Sequence, residues 1–396
     1  MRYFLLFCLI LVWLAITPLS GQTENWKDLH QQALVVDLHT DALLRVLQGQ
    51  DISKRLDHGQ LDLVRLKEGG VDVQFFAVWP NPKLYKPGEM YQQSIHMIDS
   101  LDALIKRNSY LLALAHTPEQ IEQIIKQHKI AACIGVEGGS AIENSLEKVE
   151  EFYRRGTRYL TLTWNDSPDW ATSAKDEVNP NFKRQKGLTA FGEKVVRKMN
   201  ELGMMVDVSH AGEQTFWDAL AVSQKPVIAS HSSVWKFSHH FRNLKDEQIK
   251  ALATKGGVIF INFYPGYLDG EFRIAYKNFR ESAKAKMDSL ASLYGARSPA
   301  YYRERKRYIY QEMYPVLPGV KKVVDHIDYI VQLVGEDFVG LGSDYDGIPI
   351  APKGLEDVSK MPAITKELLE RGYSEASILK ILGGNFMRVF REVSKK

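Results

Sequence analysis

The sequence predicts a closed (β/α)8 barrel, an α/β fold, and three observations carry that prediction. Short β-rich runs alternate with amphipathic helical stretches from residue 33 onward. The β-rich runs number eight. No Gly-x-Gly-x-x-Gly follows the first of them, which removes the usual mark of a doubly wound open sheet. Strand–helix alternation makes neighbouring strands parallel, and eight such units close on themselves. With 396 residues, 45% hydrophobic and 25% charged, the chain can bury a core of that size. Its formal charge of +3 is near balance, so neither nucleic acid nor an anionic lipid surface is indicated as a partner.

Residues 1–21 read as a secretory signal peptide: Arg2, an apolar run over 3–16, then Pro18, Ser20 and Gly21. The run is shorter than the roughly 20 residues that span a bilayer. Export to the periplasm or the medium is therefore expected, without a stable membrane anchor. Cys8 lies inside that run and Cys133 stands alone in the remainder, so no disulfide framework exists. Residues 22–396 are expected to form one domain. Its strands are predicted at 33–38, 71–78, 130–136, 158–163, 204–208, 226–230, 257–262 and 338–342. Between the fourth and fifth, Phe191, Val195, Val196, Met199 and Leu202 recur at helical spacing, and Gly203 ends that helix. Residues 264–317, rich in Lys, Arg and Tyr, exceed the minimal unit. They are expected to be a helical insertion after the seventh strand, with its charge run on a solvated face.

The residues at the strand ends carry the chemistry. The first run ends in His39-Thr40-Asp41, and residues two apart on a strand point to one side, so His39 and Asp41 can hold one ion together. The third ends in Glu137, followed by Gly138 and Gly139, which let backbone approach closely. The fifth and sixth end in Ser209-His210 and Ser230-His231, and the eighth in Asp344-Tyr345-Asp346-Gly347. One histidine at a strand end is ordinarily structural. In a barrel, however, the C-terminal strand ends converge on one face, where active sites sit. Three histidines, Asp41 and Glu137 are too many polar groups to bury there casually. Imidazole and carboxylate ligands suit a two-zinc site, and the lack of a thiolate points to catalysis rather than structure.

Rival motifs are absent: no His-Glu-x-x-His, Gly-x-Ser-x-Gly or P-loop is present. The 344–347 stretch is no calcium loop, because Lys353 would fall where that loop needs its last carboxylate. Cys133, in an apolar strand, reads as a small core residue. His30, His58, His96, His116, His128 and His326 read as structural or exposed. His239 and His240 read as loop residues that stay candidates through their closeness to Arg242.

The chain resembles the membrane dipeptidase (renal dipeptidase) family of metallopeptidases over nearly its whole length. The resemblance rests on Val36-Asp37-Leu38-His39-Thr40-Asp41, Gly135-Val136-Glu137-Gly138-Gly139, Arg158-Tyr159-Leu160-Thr161-Leu162-Thr163 and Asp207-Val208-Ser209-His210. It continues through Ser230-His231-Ser232-Ser233, Arg242-Asn243, Asn262-Phe263-Tyr264, Asp344-Tyr345-Asp346-Gly347 and Gly354-Leu355-Glu356-Asp357. It implies a barrel of the metal-dependent hydrolase kind and an exported dinuclear zinc dipeptidase, tolerant of a C-terminal D-residue. His39 and Asp41 would bind one zinc, His210 and His231 the other, and Glu137 would bridge them. Arg242 and Tyr264 would hold the dipeptide carboxylate, and Asp344 would be the acid/base for a zinc-bridging hydroxide.

The resemblance also suggests a homodimer. Two departures stand out. Mammalian members have a histidine where this chain has Trp164, followed by Asn165, which could donate a hydrogen bond to the substrate instead. They also carry a C-terminal lipid-anchor signal, whereas 391–396 is Arg-Glu-Val-Ser-Lys-Lys. Trp164 leaves open a zinc hydrolase of another amide, an N-acyl amino acid or a β-lactam. A non-catalytic metal-containing binding protein is the third reading.

Overall fold

The computed structural model describes residues 25–296 and 298–395, and the expected signal peptide lies outside them. Nine strands form one parallel sheet: β1 Val36–Thr40, β2 Val73–Val78, β3 Leu112–Leu114, β4 Ile130–Glu137, β5 Thr157–Thr161, β6 Met205–Asp207, β7 Val227–Ser232, β8 Val258–Ile261 and β9 Val339–Leu341. Eight of them run in the order β1-β2-β4-β5-β6-β7-β8-β9, one for each predicted run. β3 was not predicted. It has three residues, too few for a periodic signal, and pairs only with β4, outside the barrel wall.

The barrel closes between its last and first strands through a parallel bridge from Thr40 to Tyr345. Asp41 N donates to Tyr345 O at 2.9 Å, and Asp344 N donates to His39 O at 3.0 Å. Closure thus occurs beside the residues predicted to hold metal.

Strand alternation divides the side chains between two cores. Val36, Leu38, Phe75, Cys133, Tyr159, Ile228 and Phe260 point inward, where Phe386, Met387 and Phe390 of the helix Asn385–Ser394 meet them. Val35, Val206, Val227 and Ile259 point outward against the surrounding helices. Cys133 is a buried core residue as predicted, and burial pushes its thiol up to about 12, so it is no nucleophile. The predicted amphipathic helix is Ala190–Leu202, capped by Thr189, whose side chain accepts from Gly192 N, and ended by Gly203 at φ 80°.

The insertion is helical as expected. Helices Pro265–Leu268, Gly270–Ser282, Lys284–Tyr294 and Pro299–Met313 follow β8. A small cluster of Phe272, Tyr276, Ile309, Met313 and Leu317 joins them to Ile350 in the loop after β9. Among the described residues, no helix is long and apolar enough to cross a membrane.

Candidate metal centre

Every predicted metal ligand lies at the C-terminal end of a barrel strand. His39 is in β1 with Asp41 just beyond it, Glu137 is the last residue of β4, His210 follows β6, and His231 is in β7. All five are at most 7% exposed. His39, Glu137 and His231 offer ligand atoms within 4.8 Å of one another, as do His39, Asp41 and Asp344.

Each imidazole uses its Nδ1 on a neighbour and turns its Nε2 toward Glu137. His39 Nδ1 lies 2.8 Å from the Tyr159 hydroxyl, which itself donates to Leu38 O. His231 Nδ1 lies 2.8 Å from Ser230 Oγ, and that hydroxyl donates to Asp207 Oδ2. His210 Nδ1 lies 3.2 Å from Asn165 Oδ1. These partners accept, so each ring carries its proton on Nδ1 and offers a lone pair at Nε2. The three Nε2 atoms divide between the oxygens of Glu137: His210 and His231 lie 2.9 and 3.3 Å from Oε1, and His39 lies 3.7 Å from Oε2.

The electrostatics call for a cation. Burial, then the neighbouring Asp344 and Asp346, holds the Asp41 carboxyl well above the usual carboxylate range. Burial, then Asp41 and Asp344, does the same to Glu137. Burial, then Arg242, lowers His39 to about 3, and burial puts His210 and His231 well below their ordinary value. Neutral imidazoles beside crowded carboxylates form a donor set that a divalent ion satisfies. His39 Nε2 and Asp41 Oδ1 are buried with no hydrogen-bond partner, so the residues fit such an ion.

The other predicted residues surround this cluster. Asp344, half-buried, accepts from Asn262 Nδ2 at 2.9 Å, and burial pushes its carboxyl up to about 7. Arg242 is 2% exposed and among the described residues has no carboxylate partner. It donates to His231 O at 3.0 Å, while its Nε is buried and unpaired. Arg242 is therefore not a surface ion-pairing residue. The ring beside its guanidinium belongs to Tyr267, 5.6 Å away, with Tyr264 packed edge-on against Tyr267 at 4.8 Å. His240 joins this group, its Nδ1 accepting from Arg242 N, whereas His239 stacks on Trp235. Trp164 pairs with Trp79 at 4.7 Å and forms a wall 6.3 Å from His210.

Reasoning from the sequence missed the residues beneath the ligands. Asp207 accepts from Ser209 N, Ser230 N, Ser230 Oγ and Thr161 Oγ1, joining β5, β6 and β7. Asp37 accepts from Ser343 N and Oγ at 2.7 and 2.6 Å, joining β1 to the chain after β9. The available signal was a carboxylate inside an otherwise apolar strand. Gly135 makes room for Tyr159, since a Cβ there would come within 1.9 Å of its ring. His210 and Asp344 adopt left-handed backbone, φ 66° and 62°, a strain that persists where the surroundings hold it.

A (β/α)8 barrel with three imidazoles and three carboxylates converging on its C-terminal face defines a protein of the metal-site barrel class. The sequence profile of the membrane dipeptidase family (peptidase family M19) matches residues 23–396, and the chain belongs to that family. It is 34% identical to mouse Dipeptidase 3 over 367 residues, covering 91% of this chain and 64% of that protein. It is 33% identical to an uncharacterised dipeptidase of Schizosaccharomyces pombe over 388 residues, covering 93% of this chain and 82% of the other. Among solved structures, the probable dipeptidase PvdM of Pseudomonas aeruginosa is similar, with TM-score 0.77 and 26% identity over 95% of this chain and 99% of that one.

Proposed function

We propose that this protein is an exported dinuclear zinc dipeptidase that hydrolyses dipeptides, including ones with a C-terminal D-residue. The observation that carries this reading is the one-sided presentation of His39, His210 and His231, whose Nε2 atoms face the two oxygens of Glu137. His39 and Asp41 would hold one zinc, His210 and His231 the other, and Glu137 both. Zinc bound there would supply Lewis acidity for the scissile carbonyl and lower the pKa of water.

The chain's own residues do the rest. Arg242, buried with a free Nε–H, holds the substrate's C-terminal carboxylate and restricts the site to very short peptides. Tyr264 lines the adjoining cavity as a further substrate contact. Asp344, steadied by Asn262, accepts a proton from water and returns it to the leaving amine. Asn165 acts through His210, which its side-chain carbonyl orients, and would donate its amide N–H to the substrate.

Hydrolysis of L–L, L–D and Gly-terminated dipeptides by zinc-loaded and chelator-stripped protein tests the proposal. Zinc-dependent cleavage supports it, and two bound zinc ions without cleavage of any dipeptide overturn it. One observation favours a second reading, hydrolysis of N-acyl amino acids: the Trp79–Trp164 wall beside His210 suits an apolar acyl group. An N-acetyl amino acid and a β-lactam in the same assay decide between the two.

A further inference from the structure

The charges of the insertion do not all sit on a solvated face. On the helix Pro299–Met313, Arg303 and Arg307 do so, and both reach Glu304. The two cations between them, Arg305 and Lys306, turn inward and line a cavity of 530 Å³ together with Arg280, Tyr264, Tyr276 and Tyr302. Among the described residues, neither Arg280 nor Arg305 has an ion-pair partner. Lys306 donates to Gly59 O at 3.1 Å and among the described residues forms no ion pair, although Asp346 and Asp357 act on it at longer range. The one carboxylate on the cavity wall, Asp346, is already engaged by Arg45 Nη1 at 3.0 Å and Gln60 N at 2.6 Å.

A second cavity of 690 Å³ shares Tyr264, Tyr276 and Arg280 with the first, and adds Arg273, Lys277 and Lys284 against Glu281 alone. Arg273, Lys277 and Arg280 recur at helical spacing, and Arg273 Nε is buried without a partner. Lys277, Arg280 and Lys284 are exposed, whereas Arg273, Arg305 and Lys306 are partly buried, where a cation without a counterion is costly unless a ligand supplies the negative charge.

The first cavity abuts the metal-ligand cluster at a defined place. Gly347 is part of its wall, and a Cβ on Gly347 would come within 2.1 Å of Asp41 Oδ2 and 2.3 Å of Asp344 Oδ1. Only hydrogen fits between cavity and carboxylates there. Arg242, bonded to His231 O, is not part of that cavity's wall. With the dipeptide carboxylate on Arg242, outside that wall, and the scissile carbonyl at the ligands, the first residue is the part left to reach Gly347 and the cavity.

We propose that this chain selects dipeptides whose first residue carries a side-chain carboxylate, with Arg280, Arg305 and Lys306 as the specificity-determining residues. The inference rests on the dipeptidase reading and on Arg242 as the carboxylate anchor. The wider basic surface, from Arg273 to Lys284, steers such anions toward the site.

The test compares kcat/KM for Glu-Ala, Gln-Ala, Ala-Glu and Ala-Gln on the zinc-loaded full chain, at low and high salt. Glu-Ala is expected to exceed Gln-Ala about 10- to 100-fold, the worth of one hydrogen bond to a charged group, and the ratio falls as salt rises. Arg280→Gln combined with Arg305→Gln brings the ratio near one, chiefly through KM for Glu-Ala. A wild-type ratio at or below one, or a ratio unmoved in the variant, overturns the proposal. So does an equal preference for Ala-Glu over Ala-Gln, which would take the selectivity away from the first residue. Calorimetric binding of Glu-Ala and Gln-Ala reads the preference without turnover. Binding preference without cleavage overturns the dipeptidase reading while supporting the charge selectivity of the cavity. Cleavage without preference overturns the cavity proposal alone, and neither overturns both.

Discussion

The same eight strands end in opposite chemistry at the two ends of the barrel. At the N-terminal end, Phe386, Met387, Val389, Phe390 and Val393 of the last helix fill the opening and pack on Val36, Phe75 and Val258. Phe386 meets Phe75 edge-on at 5.4 Å. Burying each such ring is worth about 1.5–3 kcal/mol, and the polar atoms left unpaired there are Thr157 Oγ1 at the start of β5 and Arg388 Nε on the helix. At the C-terminal end, carboxylates and imidazoles share a buried space with two orphaned ligand atoms. The polar end is held by the layer below it, in which Asp37 and Asp207 bind neighbouring strands through hydrogen bonds rather than apolar contact. One end therefore stabilises the fold, and the other uses that stability to keep like charges together.

That contrast can be broken at each end, and the largest effect is expected at Glu137. Glu137→Gln removes the group facing all three Nε2 atoms. It should lower dipeptide hydrolysis by more than about a hundredfold, since even changes to groups behind the ligands cost about 10- to 100-fold. The metal-free variant should melt above metal-free wild type, because one crowded carboxylate has gone. Zinc content and thermal midpoints with and without chelator check both statements. Phe386→Ala reverses the pattern. It should destabilise by about 3–5 kcal/mol in denaturant unfolding while zinc per chain stays unchanged.

His326 sharpens the comparison through pH. It is buried beside the C-terminal face, accepting from Val234 N at 3.0 Å and donating from Nε2 to Leu268 O at 2.9 Å. Burial lowers it to about 4 from 6.5. Because the folded value lies below the unfolded one, its stabilising effect is complete above pH 6.5 and is lost as pH falls toward 4. The loss amounts to about 3 kcal/mol at 1.36 kcal/mol per unit. His326→Gln should flatten that part of the pH–stability curve, and an unchanged curve would remove His326 from the account. The smallest effect is expected for Tyr159→Phe, which keeps the ring beside Gly135 but leaves His39 Nδ1 without its acceptor. Metal affinity should fall about 10- to 100-fold, read by competition with a chelating dye.

How much of this was legible in the sequence depended on the range of each interaction. The barrel strands and the ligand types at their ends are local patterns: His39 and Asp41 lie on one strand, and Glu137 precedes two glycines. β3 escaped because three residues carry no period. Tyr159 sat in a recognised strand, but its bond to His39 spans 120 positions, so no local pattern reveals it. The same holds for Ser343 and Asp37, 306 positions apart. Tyr267 rather than Tyr264 stands beside Arg242 because the turn into Pro265–Leu268 decides which ring faces the guanidinium.

The sequence by itself determined the fold class, the number of barrel strands and the donor atoms available, since alternation and residue type act within a few positions of the chain. Only the tertiary structure decided which nitrogen each imidazole presents, that Arg242 is buried with no carboxylate partner among the described residues, and that Arg305 turns inward while Arg303 does not. Those outcomes depend on neighbours brought together by barrel closure, and burial is what gives an unpaired proton or charge its weight.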